Sequence, residues 1–161
     1  MSNDARLRFE TLAIHAGQAP DPATGATITP VYQTVTFTHD AVDQNRGFSY
    51  SRYGNPTRQA LEECIAALEG GRHGLAYGSG MAAIAGAMQA VSAGDHVVVA
   101  DDLYGGSYRL FTRLLPRYGV RFSFVDATQP DAVAKAMEPA TRVVWIESPT
   151  NPMLRIIDIA R

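Results

Sequence analysis

Cysteine, lysine and tryptophan are almost missing from this chain of 161 residues: Cys64, Lys135 and Trp145 are the single examples of each. One cysteine excludes an intramolecular disulfide framework and suits a reducing compartment. No apolar run approaches the roughly 18–20 residues of a membrane span. The stretch MSNDARLRFETLAIHAG has no apolar signal core, so a cytoplasmic location is expected. The net charge of −2 gives no general attraction to nucleic acid or to an anionic membrane. Any basic site must therefore be local. Lysine and arginine together number 14, so with one lysine the remaining 13 are arginine. His15, His39, His73 and His96 show no metal-ligand spacing, and no Ser-His-Asp arrangement can be argued. The pair Asp101-Asp102 lacks a further His or carboxylate at suitable spacing, so no metal is expected, and one of the two is expected to cap the next helix. No GK[ST] follows a glycine turn, and GSGMAA lacks the spacing of GxGxxG.

What is present is ordinary globular composition, 46% apolar and 19% charged, long enough for one domain with a core. Residues 1–57 carry many prolines and glycines and only short β-branched runs such as ITPVYQTVTF. They read as an extended, irregular arm, which at this length is expected to be functional or to pack on a partner. From Arg58 the pattern turns regular. Leu61, Cys64, Ile65 and Leu68 fall at helical spacing, Asn55-Pro56-Thr57 supplies the start signals and Gly70-Gly71 the stop. Cys64 is thus expected on a buried stripe as a structural residue.

Strand and helix then alternate. HGLAY (73–77), HVVVA (96–100), RFSFV (121–125) and RVVWIE (142–147) read as strands, with helices over 81–92, 106–118 and 130–138 between them. Short, continuous apolar strands are those of a sheet covered on both faces, and the alternation argues for a parallel α/β sheet. Ligands gather beyond the carboxyl ends of such strands. There the chain places Gly78-Ser79-Gly80-Met81, a small-residue turn running into a helix. Its free N–H groups suit a phosphate, although the same glycines would serve a tight packing turn. Tyr104 stands where an aromatic face could cover a flat ligand, with Gly105 and Gly106 leaving room. Glu147 and Asn151 are held at the edge by the prolines of ESPTNP. In the arm, GFSYSRYGNPTR carries Tyr50, Arg52 and Tyr53, read either as an anion-binding loop or as a solvated turn.

The segments HAGQ, PVYQTVTF, YSRYGNPTR, YGSGMAA, DDLYGGSYRLF and ESPTNPML occur in order over nearly the whole chain. Jointly they resemble the pyridoxal-phosphate-dependent enzymes of cysteine and methionine metabolism. That family includes cystathionine γ-synthase, cystathionine γ-lyase, methionine γ-lyase and O-acetylhomoserine sulfhydrylase. The resemblance implies an α/β fold: the parallel-sheet part of the large domain of a fold-type I pyridoxal-phosphate enzyme, preceded by an extended N-terminal arm. It divides the chain into an arm, 1–57, contacting a neighbouring subunit, and the first part of the cofactor domain, 58–161. It implies pyridoxal 5'-phosphate as cofactor, small amino-acid substrates, and a homodimer or homotetramer with shared active sites.

By that resemblance, Gly80 and Met81 donate backbone N–H groups to the cofactor phosphate. Tyr50 and Arg52 bind the same phosphate from the neighbouring subunit, where the planar arginine fork can donate two hydrogen bonds. Tyr104 stacks on the pyridine ring and assists proton transfer as the catalytic residue of this chain. Asn151 donates near the ring's phenolic oxygen, and Arg109 lies near bound substrate. Gly106 replaces the cysteine typical of methionine γ-lyases, which counts against that member. The expected activity is that of cystathionine γ-synthase, γ-replacement on an O-acylated homoserine with cysteine. Cystathionine γ-lyase, O-acetylhomoserine sulfhydrylase and a catalytically inactive relative are the alternatives.

The family's Schiff-base lysine and the aspartate that pairs with the pyridine nitrogen follow the ESPTNP loop in relatives. Neither has a counterpart between that loop and Arg161, and no family motif surrounds Lys135. The 161-residue chain alone is therefore expected to show no γ-elimination or γ-replacement. Purified chain with added pyridoxal phosphate should give neither imine absorbance nor turnover; robust turnover would overturn this expectation.

Overall fold

Asn55 starts the longest helix of the chain by the means its sequence announces. In the computed structural model, which describes residues 7–160, its side chain accepts a hydrogen bond from the Thr57 N–H at 2.9 Å. Pro56 takes the first helical position, where its missing N–H costs nothing. This helix, α2 (Pro56–Leu68), follows α1 (Phe9–His15). The two pack together within one compact unit that extends through Ala76. Gly17, φ +72°, ends α1 where a Cβ would run into the carbonyl of Ala60, so only glycine lets the chain pass this close to α2.

The arm is fastened to the start of α2 by side chains. The Thr57 hydroxyl accepts from the Tyr32 N–H and donates to the Pro30 carbonyl, both at 2.9 Å. The Asn55 amide donates to the Tyr32 carbonyl at 3.0 Å and to the Ser51 hydroxyl at 3.1 Å. The described residues before α2 are largely irregular, with one departure from the expected pattern, the helix Phe9–His15. ITPVYQTVTF contributes an isolated antiparallel bridge, Thr36 to Tyr50. The stripe on α2 is also less covered than its spacing suggests. Leu61 and Ile65 are 53% and 47% exposed, and Cys64 is half-buried.

Residues 73–77, expected as a strand, are irregular. The Ala76 N–H donates to the Glu62 carboxylate at 2.9 Å, and Gly74 lies against the Glu62 carbonyl. Among the described residues this apolar run joins no ladder, and its Ala76 N–H is satisfied by a side chain of α2 instead.

The second unit runs from Tyr77 onward. It contains α3 (Gly80–Ala87), β1 (His96–Ala100), α4 (Gly105–Arg109), β2 (Arg121–Val125), α5 (Pro130–Ala136) and β3 (Thr141–Trp145). The described residues form three strands, all parallel, in the order β2-β1-β3. Val97 pairs with Phe122 on one side and Val143 on the other. The helix expected over 106–118 is continuous in three pitches: α4, a π turn over Leu110–Leu114 and a 3₁₀ turn over Leu115–Tyr118. Pro116 has no N–H for the carbonyl of Thr112, so regular α geometry cannot run through it.

The core lies between the sheet and these helices. Phe111 is fully buried, stacked on Phe122 at 5.2 Å between centroids and edge-on to Trp145 at 5.5 Å. Val97, Val99, Met88, Leu103, Leu110 and Val120 complete the cluster. At the opposite end of the strands from the expected ligand edge, buried His96 shares hydrogen bonds with the Thr141 and Ser123 hydroxyls at 2.8 and 2.9 Å, joining all three strands. No helix of the described residues is long and apolar enough to cross a membrane.

Phe111→Ala removes a ring that touches both flanking strands. It should lower stability by about 3–5 kcal/mol in urea or thermal unfolding. A loss below about 1 kcal/mol would show that the core does not centre on this ring.

Candidate functional site

At the carboxyl end of β1 the chain emerges as Asp101-Asp102-Leu103-Tyr104. Asp101 continues the ladder for one more bond, its N–H donating to the Val125 carbonyl at 2.8 Å. Asp102 is buried, and its carboxylate is the acceptor around which the loop after β3 is organised. Its Oδ2 accepts from the Thr150 hydroxyl and, at 3.1 Å, from the Met153 N–H. Thr150 is itself buried, and its Oγ1 accepts from the Arg155 N–H at 2.8 Å. The expected capping role for an aspartate is thus corrected. The N-cap of α4 is Tyr104 without any side-chain cap, and Asp102 braces the loop 48 residues away.

Asn151 lies beside Thr150 in that loop and is exposed. The Ser148-Pro149 and Asn151-Pro152 bonds on either side are both cis. Arg155 closes the loop from outside, its guanidinium 3.3 Å from Asp101 and 3.8 Å from Asp126. The Thr128 hydroxyl, and then its N–H, donate to Asp126 and hold that carboxyl below the usual aspartate range, with Arg155 a smaller cause. A lowered value in the folded state means this contribution is complete above the ordinary aspartate range. It is lost as pH falls through the lowered value.

The second wall is the turn into α3. Ser79 caps the helix, its Oγ accepting from the Ala82 N–H at 3.2 Å. Among the described residues the N–H groups of Gly80 and Met81 donate to no other group. Space beside Gly78 and Gly80 is open, since a Cβ at either would meet nothing within 4 Å. Two free donors at the positive end of a helix, with clear approach, form a cradle suited to an anion.

Tyr104 joins these walls. A Cβ placed on Gly106 would collide with the Tyr104 ring and lie 2.6 Å from the Met81 Sδ, so glycine is what allows ring and thioether to meet there. The Tyr104 side chain is otherwise half-exposed. Arg109 is exposed, with its guanidinium folded back along α4 toward Gly105. Within this unit the structure therefore brings Gly80, Met81 and Tyr104 together. Asn151 and Arg109 lie on the flanking loop and helix.

Tyr50 and Arg52 belong to the other unit and meet each other. The Arg52 guanidinium donates to the Tyr50 hydroxyl at 2.8 Å, with its carbon 5.0 Å from the ring centroid. Arg58 holds their loop from α2, donating to the Tyr53 carbonyl at 2.9 Å. No group of three or more His, Cys, Asp or Glu residues suited to a metal exists among the described residues.

Comparison with known proteins follows this geometry. The family model described as Cys/Met metabolism PLP-dependent enzyme matches residues 10–161. A probable cystathionine gamma-synthase of Herpetosiphon aurantiacus is 49% identical over 152 residues, 94% of this chain and 48% of that protein. A cystathionine beta-lyase of Coxiella burnetii is 48% identical over 161 residues, 99% of this chain and 42% of that protein. Among solved structures, metB from Corynebacterium glutamicum superposes with a TM-score of 0.92 at 41% identity, over 98% of this chain and 42% of that one. The chain thus spans less than half the length of the relatives it matches.

Asp102→Ala would leave the Thr150 hydroxyl and the Met153 N–H without their acceptor. It should cost about 1–3 kcal/mol in chemical unfolding. Hydrogen exchange should accelerate across residues 150–155 ahead of β1; uniform acceleration would show that Asp102 has no special hold on the loop.

Proposed function

The chain belongs to the Cys/Met metabolism PLP-dependent enzymes, and from that premise we propose that it forms the phosphate-binding and ring-covering walls of a trans-sulfuration active site. The fold-type I α/β architecture and pyridoxal phosphate as cofactor come with that family. The residues present fit the group. An α3 cradle with two free N–H donors suits its phosphate, and an adjacent half-exposed tyrosine ring suits its flat face. When bound, the cofactor supplies an electron sink for charge that develops on the substrate's carbon atoms.

The chain's own residues would bind and orient it. Gly80 and Met81 donate backbone hydrogen bonds to the phosphate. Tyr50 and Arg52, already joined as a pair, are offered to the phosphate of a neighbouring subunit in a homodimer or homotetramer. Tyr104 covers the ring and accepts or returns a proton at its phenolic oxygen. The Asn151 amide donates beside the ring's phenolic oxygen. Arg109 receives the substrate carboxylate. The favoured activity is that of a cystathionine γ-synthase, γ-replacement on an O-acylated homoserine with cysteine. The name of the Herpetosiphon relative supports it. The relative named cystathionine beta-lyase supports a second reading, as a lyase, which the same cradle and ring would serve. The observation that carries the proposal is the meeting of the Met81 thioether and the Tyr104 ring over Gly106, beside the free donors of α3.

Two substitutions at one position test the cradle. Gly80→Pro deletes one N–H donor at the first helical position, where proline is tolerated, and Ser79 before it is already extended. Gly80→Ala keeps the donor and adds a methyl into open space. Titration followed by quenching of Trp145 should show pyridoxal phosphate bound about tenfold more weakly by Gly80→Pro, and nearly unchanged by Gly80→Ala. Equal affinities in all three proteins would remove the phosphate from this turn.

A further inference from the structure

We infer that Glu147 is the positioning residue for Tyr104, an inference that rests on the proposed role of Tyr104 as the cover of the cofactor ring. Glu147 follows β3 by two residues and reaches the chain where α4 begins. Its Oε2 accepts from the Tyr104 N–H at 2.9 Å. Its Oε1 accepts from the Ser107 hydroxyl at 3.2 Å and from the Trp145 indole N–H at 3.4 Å. Three donors thus converge on one half-buried carboxylate. Ser107 is fully buried, so its position is set by the packing around it.

The arrangement answers a specific need. Tyr104 precedes α4 with φ −51° and ψ 130°, and its own side chain caps nothing. Its ring is half-exposed, so the core does not dictate where it points. The ring leans on Gly106 beside the Met81 sulfur, and where it starts from is set by the backbone that carries it, which the Glu147 carboxylate grips at the residue itself. A negative charge at the amino end of a helix is favourable, and a charge-assisted bond is stronger than a neutral one. Glu147 makes none of the proposed cofactor contacts. It acts through Tyr104, tying the loop after β1 to the end of β3.

The test uses the 161-residue chain, ¹⁵N-labelled, as wild type, Glu147→Gln, Glu147→Ala and Ser107→Ala. Amide exchange is read at Tyr104 and at Val98 in β1. The Tyr104 amide should exchange at least about tenfold faster in Glu147→Ala and by a smaller factor in Glu147→Gln, which retains an acceptor oxygen. Val98 should not change, and Ser107→Ala, which removes a donor and leaves the acceptor, should keep Tyr104 protected. If Glu147→Ala does not fold, Glu147→Gln decides by the same comparison. An unchanged Tyr104 amide, or acceleration of Tyr104 and Val98 by the same factor, overturns the inference.

Addition of pyridoxal phosphate to the wild type separates this from the premise. Shifted Tyr104 ring resonances, with cofactor affinity about tenfold weaker in Glu147→Ala, support both. A Tyr104 amide that responds to Glu147 while its ring ignores the cofactor upholds the bracing by Glu147. That result overturns its purpose at the ring.

Discussion

A strand covered on both faces can keep a polar side chain only where partners wait for it, and β1 keeps one, His96 at its amino end, bonded to Thr141 and Ser123. Val97, Val98 and Val99 are wholly removed from solvent, with parallel neighbours on either edge. From Val97 to Ala100 the strand offers nothing polar, and polar function at its carboxyl end begins with the residues that follow Ala100. Asp101, Asp102 and Tyr104 appear there at once, and Glu147 and Thr150 appear just past the end of β3. The chemistry of the rim is a consequence of the dryness of the strand behind it.

Two carboxylates turn that rim into a defined surface. Asp102 reaches from the end of β1 to the loop after β3, and Glu147 reaches from the end of β3 to the loop after β1. The two connections run in opposite directions between the same pair of neighbouring strands. Each carboxylate answers backbone N–H groups that a loop would otherwise leave to water.

Local signals in the sequence were sufficient for the parallel strands at 96–100 and 121–125, for the Asn55-Pro56-Thr57 helix start and for the glycine turn into α3. These depend on neighbours a few residues away. HGLAY carries the same apolar signal as a strand, but its Ala76 N–H is claimed by Glu62, 14 residues earlier, which no local pattern reveals. The short helix Phe9–His15 runs directly into the glycines and prolines that begin at Gly17, and their irregular signal masks it. The roles of Asp102 and Glu147 were invisible for a similar reason: their partners lie 48 and 43 residues distant, and only the order β2-β1-β3 brings them together. Motif resemblance carried the family and its cofactor. The meeting of Met81, Tyr104 and Gly106 needed coordinates.

Gly106 binds the histories of three positions together. The space its missing side chain leaves is occupied by the Tyr104 ring and the Met81 sulfur. A larger residue at 106 would oblige the ring to rotate or the thioether to swing aside. What a substitution at 106 costs is therefore set by the side chains that stand at 81 and 104, and changes at the three positions are epistatic.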